Sequence, residues 1–212
     1  MDGFFADKVV LVTGASRGIG RSIALAFARE GARLVLAARA VDRLAEVEKE
    51  VRDLGADALS VPTDVTSCDA VAALVDAATA RFGRIDVLVN NAGIGKVGAV
   101  DSPAFEDDVL QTQRASLFGM VHVTQRVLPI LRRQGSGTIV NMSSVMGRKA
   151  FARFGAYAIV MHAVSAFSAF SDSSVRRWPA AGSGSRSSIR RSPPPTCCGT
   201  RTSPRCPRRS GT

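Results

Sequence analysis

Acidic residues are missing from one end of this 212-residue chain. All 18 Asp and Glu lie between Met1 and Val175 with 19 of the 28 Lys and Arg, whereas Arg176 to Thr212 carries nine Arg and no acid. The formal charge of +10 therefore belongs to the last segment and the body is nearly neutral. That removes the usual reason to expect nucleic acid or an anionic membrane as partner of a basic protein. Long apolar runs are also lacking: none reaches the roughly 18 residues of a membrane span, and Met1-Asp2-Gly3-Phe4-Phe5 has no basic start followed by an apolar stretch. A soluble, cytoplasmic protein is expected. Cysteine is scarce. Cys68 stands alone in the body, and Cys197, Cys198 and Cys206 form no CxxC pair and have no partner histidine, so neither a disulfide framework nor a metal site is expected.

What is present is an alternation of short β-branched runs with longer amphipathic stretches, the pattern of parallel βαβ units. Strands are predicted over Val9 to Thr13, Arg33 to Ala37, Asp57 to Val61, Val87 to Asn90 and Thr138 to Met142. Their near-continuous apolar character fits strands covered on both faces. Apolar residues at three- and four-residue spacing predict helices over Ile19 to Arg29, Asp42 to Leu54, Asp69 to Phe82 and Phe105 to Arg133, with a fifth starting near Gly155 and running toward Ser171. The expected fold class is α/β, a three-layer doubly wound parallel sheet of five strands occupying residues 1–175.

Directly after the first strand comes Thr13-Gly14-Ala15-Ser16-Arg17-Gly18-Ile19-Gly20, leading into a helix. Glycines in that place permit a tight turn with positive φ. They also let backbone N–H groups and the positive end of the helix dipole approach a pyrophosphate. Gly14, Ser16, Arg17, Gly18, Ile19 and Gly20 are thus candidate cofactor-binding residues.

This TGxxxGxG pattern resembles that of the short-chain dehydrogenases and reductases, and three later motifs agree in order and spacing: Asp64-Val65-Thr66, Asn90-Asn91-Ala92-Gly93, and Ile139-Val140-Asn141-Met142-Ser143-Ser144. The resemblance covers about residues 6 to 175. It implies hydride transfer between a nicotinamide cofactor and a small alcohol or carbonyl substrate. It also implies adenine contacts from Asp64 and Val65, a cofactor floor of Asn91, Ala92 and Gly93, and homo-oligomers through the long helices. By type and spacing Ser144 and Tyr157, the chain's one tyrosine, match the family's catalytic serine and tyrosine.

The second strand ends Leu36-Ala37-Ala38-Arg39, without the acid that would take the ribose 2′-hydroxyl and repel a 2′-phosphate. Arg39 and Arg17 offer forked donors suited to that phosphate, so NADP(H) is favoured over NAD(H). Two positions depart from the family pattern. Its lysine, one helical turn beyond the tyrosine, is Met161, and its asparagine on the long helix is Ser116. A thioether carries no charge to favour a tyrosinate and cannot replace an ammonium donor to the ribose. His162 points about 100° away around the helix and is a poor substitute. A catalytically inactive relative, or a nucleotide-binding module without turnover, is therefore the competing reading.

Beyond Val175 the composition turns to Arg, Ser, Pro, Gly, Thr and Cys, with Trp178 and Ile189 the large apolar residues. Such a segment cannot bury a core. The resemblance stops within a few residues, before the family's sixth and seventh strands. A frameshift or assembly error near residues 171 to 176 is the hypothesis this break motivates; resequencing that gave the tail in frame would sink it. The alternatives are a basic tail without fixed structure and, less favoured because no aromatics interleave the arginines, a nucleic-acid-binding tail.

Overall fold

The computed structural model describes residues 3–175, and the basic segment 176–212, with every reading placed on it, lies outside the described residues. Five parallel strands form one sheet: β1 (Val9–Thr13), β2 (Arg33–Ala38), β3 (Ala58–Pro62), β4 (Val87–Asn90) and β5 (Thr138–Asn141). Their spatial order is β3-β2-β1-β4-β5. The crossovers are α1 (Gly18–Arg29), α2 (Val41–Asp53), α3 (Cys68–Phe82), and a long helical passage of α4 (Phe105–Thr112) and α5 (Gly119–Gln134); α6 (Gly155–Val175) follows β5.

Side-chain alternation along β1 explains the three layers. Val10 and Val12 face one side, where they pack with Leu34, Leu36 and the apolar stripes of α1 and α2, including Ala24, Leu44 and Val47. Val9 and Leu11 face the other, against Leu74 of α3 and Val123 and Val127 of α5. Val9, Val10, Leu11 and Val12 are fully buried, as expected of a central strand covered on both faces. The edges differ. In β5 Thr138 and Val140 are exposed, and β5 pairs only with β4 among the described residues.

Most boundaries fall within two residues of the sequence prediction. One element differs in kind: the single helix expected from Phe105 to Arg133 is helical throughout but widens to π-helical geometry over Gln113–Phe118. A π turn adds a residue without breaking the apolar stripe, so the hydrophobic period does not betray it. The widened stretch carries Ser116.

The reversal of strand order between β1 and β4 opens a crevice at the carboxyl ends of the strands, the place where ligands bind in open α/β sheets. A third, smaller apolar cluster of Met120, Val160, Met161 and Val164 fixes α6 to α5 beside that crevice.

Candidate active site

The glycine turn after β1 is built for close approach. Gly14 and Gly18 have φ of +66° and +54°, in the left-handed region that favours glycine. At Gly20 a side chain would overlap the Gly14 carbonyl and lie 2.5 Å from Asn91 Nδ2. Helix α1 opens at Gly18 with extended Arg17 before it and no side-chain cap, so its first N–H groups lack the usual capping partner. Ser16 is half-buried in this turn, Arg17 is exposed, and Ile19, 62% exposed, projects into the crevice.

The Asn90-Asn91-Ala92-Gly93 segment holds the turn in shape. Asn91 Nδ2 donates to the carbonyls of Thr13 (3.0 Å) and Gly14 (3.3 Å), while Thr13 Oγ1 accepts the backbone N–H groups of Asn91 and Ala92, both at 3.0 Å. Asn90, buried, donates through Nδ2 to Thr124 Oγ1 and Asn141 Oδ1 at 2.9 Å each, tying β4 to α5 and β5. Two of the sequence motifs thus form one hydrogen-bonded unit.

In the segment after β3, Asp64 Oδ1 accepts from the Thr66 backbone N–H (2.9 Å) and the Thr66 hydroxyl (2.8 Å). The Thr66 N–H holds the carboxyl below its usual range against the opposing effect of partial burial, helped by the Thr66 hydroxyl and the positive charge of Arg39. Arg39, exposed at the end of β2, therefore lies within electrostatic reach of Asp64. Val65 packs against Gly119, where an added Cβ would come within 2.5 Å of Val65 Cγ2.

A cleft of about 240 Å³ brings the middle of the site together. It is lined by Ile19, the stretch Asn91 to Gly95, Ser116, Met142, Ser143, Tyr157 and Met161. The Tyr157 ring lies against Gly95, where a Cβ would sit 3.1 Å from Cδ2. Ser116 Oγ accepts the Ile94 N–H (3.0 Å) and donates to the Ile94 carbonyl (3.1 Å), so this buried hydroxyl fastens the π turn to the loop after β4. Met161 is 4% exposed and joins the apolar cluster between α5 and α6. A wider depression lined by Pro103, Ala104, Glu106, Asp107 and Leu110 contains none of the motif residues.

Of the two neighbouring serines, Ser143 lines the cleft. Ser144 caps the 3₁₀ turn Val145–Gly147, its Oγ accepting the Met146 N–H at 3.2 Å. Sequence reasoning singled out Ser144 and passed over Ser143, which lies in the same quoted motif. It also passed over Thr13, legible there only as the residue preceding the first glycine. No group of three or more potential metal ligands occurs among the described residues.

The fold and this site define a doubly wound α/β protein of Rossmann type, with a crevice at the strand-order reversal and a glycine turn too tight for side chains before the first helix. The chain belongs to the short chain dehydrogenase family, whose model matches residues 8–178. It is 40% identical over 161 residues to an uncharacterized oxidoreductase of Staphylococcus saprophyticus, covering 76% of this chain and 64% of that one. Among solved structures it resembles an NAD+-bound xylitol dehydrogenase, with TM-score 0.79, 35% identity, and coverage of 82% of this chain and 66% of the other. It also resembles an alcohol dehydrogenase of Thermococcus sibiricus complexed with 5-hydroxy-NADP, with TM-score 0.75, 30% identity, and coverage of 80% and 72%. The chain spans about half to two thirds of the length of the curated relatives it matches. No helix among the described residues is long and apolar enough to cross a membrane.

Proposed function

We propose that this chain acts as an NADP(H)-dependent oxidoreductase on a small alcohol or carbonyl compound. The observation that carries the reading is one cleft lined by Tyr157, Ser143, Ile19 and Asn91–Gly93, with Asn91 hydrogen-bonded to the glycine turn and Ser144 next in the chain to Ser143. The residues fit a dinucleotide: the α1 N-terminus with Gly14, Ser16, Gly18, Ile19 and Gly20 would take the pyrophosphate, and Asp64 and Val65 the adenine. Asn91, Ala92 and Gly93 would floor the nicotinamide half. When bound, the cofactor supplies or accepts the hydride at the substrate carbon. Tyr157 gives its hydroxyl proton to the substrate oxygen in reduction and takes it back in oxidation, with Ser144 hydrogen-bonded to that oxygen. Met161 leaves this proton transfer without a neighbouring ammonium, which favours slow turnover and supports a second reading, nucleotide binding without catalysis.

The phosphorylated cofactor is preferred because Arg39 follows directly on β2 and no acid stands there to repel a 2′-phosphate. Arg39 beside Asp64, and Arg17 at the glycine turn, supply guanidinium groups. Fluorescence titration with NADPH and NADH tests the assignment. NADPH is expected to bind at least about tenfold more tightly, the worth of one charge-assisted contact, and R39D is expected to remove that advantage. Equal affinities in the unaltered chain would refute the NADP reading.

A further inference from the structure

Tyr157, Met161 and Ser165 follow one another at four-residue spacing on α6 and form one stripe of its surface. The first two line the cleft. The third reaches the segment that follows β5: Ser165 Oγ and Ser143 Oγ are 2.9 Å apart, a hydrogen bond joining positions 22 residues apart in sequence. The pair is open to solvent on one side and tightly packed on the side of Gly147. A methyl group on Gly147 would overlap Ser165 Oγ and would come within 2.7 Å of the Met161 carbonyl and 2.8 Å of Ser143 Oγ. Gly147 is therefore the residue that lets the 3₁₀ turn lie directly on α6, and the Ser143–Ser165 bond fixes where along α6 it lies. Ser143 forms part of the cleft wall, and Ser144, next in the chain, caps the same turn through Met146.

We infer that Ser165 is a positioning residue for the hydrogen transfer proposed above, acting through Ser143 to hold residues 143–147 at a set distance from Tyr157. Met161 lies between the two polar positions of the stripe and has no N–H or O–H to offer, so the contact that registers the serine turn on this helix is made one turn further along. The inference rests on the oxidoreductase reading for its catalytic meaning and on the geometry alone for its structural one.

Because Tyr157 is the only tyrosine in the chain, biosynthetic 3-fluorotyrosine places a single ¹⁹F reporter in the cleft, readable without turnover. The experiment compares the full chain with S165A, S143A, the double variant and S165T. S165A and S143A are each expected to displace the ¹⁹F resonance, the double variant to displace it no further, and S165T, which keeps the hydroxyl, to restore it. In assays of alcohol oxidation, S165A is expected to lower kcat by about tenfold to a hundredfold, the scale of a small misplacement of reacting groups, with NADPH affinity unchanged. A resonance unmoved by S165A, displacements that add in the double variant, or a fall in melting temperature with no displacement would each overturn the inference. If the unaltered chain turns over nothing, the oxidoreductase reading fails, while the ¹⁹F cycle still decides the role of Ser165.

Discussion

At the scale of single residues, the site combines intact polar groups with one apolar substitution. Met161 is buried against Met120, Val160 and Val164, so the position one turn beyond Tyr157 is now part of a packing cluster. A lysine there would keep most of the aliphatic volume and could extend its ammonium into the cleft that Met161 already lines. M161K is expected to raise the rate of NADP-linked alcohol oxidation by about 10²-fold, the lower end of general acid–base contributions. A steady-state assay of the variant checks this, and no gain would mean that Tyr157 is not the group exchanging the proton. Ser116 presents the opposite case. Its hydroxyl is taken up by both polar groups of Ile94, so it serves the loop after β4 before any water.

At the scale of elements, β1 is locked into the sheet at its start by a buried acid. Asp86, just before β4, accepts the Val9 N–H at 3.0 Å and pairs with Arg84. Burial pushes its carboxyl up, but Arg84, the Val9 N–H and Lys8 outweigh that and hold it below the usual carboxylate range. The D86N substitution removes the charge from a group that is 8% exposed. It is expected to cost about 1–3 kcal/mol, read as a lower urea midpoint and faster amide exchange at Val9. An unchanged midpoint would count against this anchor. The long helical passage teaches a different lesson: Gly119 brings α5 against Val65, and the preceding π turn aims Ser116 at Ile94. The amphipathic pattern of residues 105–133 made a helix legible, but the widened turn is set by contacts with loops distant in sequence.

At the scale of the whole molecule, pH and cofactor should govern stability together. Asp86 and Asp64 both have folded-state pKa values below those of the unfolded chain. Their contribution is complete above the unfolded carboxylate value of about 3.9 and is lost as pH falls through the lower folded values. The melting temperature is therefore expected to hold between pH 7 and 5 and to fall below about pH 4, with a shallower fall in D86N; thermal melts across this range check it. A ligand that binds the folded chain alone at 100 times its Kd adds about 2.7 kcal/mol, which for a domain of this size is several degrees of melting temperature. NADPH is expected to give that shift at lower concentration than NADH, and a melt indifferent to both would argue against a working dinucleotide site.

The five strands and their crossovers are legible in the chain before it folds, because β-branched runs and three-to-four-residue apolar spacing are local consequences of burial on a sheet or along a helix. The sequence shows the glycine turn after β1 as well, since only glycine tolerates the positive φ at Gly14 and the contact at Gly20. It also showed the missing ammonium at Met161. Folding alone brings Asn91 and Thr13 to buttress that turn, Ser116 to hold Ile94, Arg39 into electrostatic reach of Asp64, and Ser143 to Ser165. Each of these joins residues brought together by the strand order and by the packing of α5 and α6. Hydrogen bonds and charge proximity between such distant positions leave no periodicity in the chain from which they could be read.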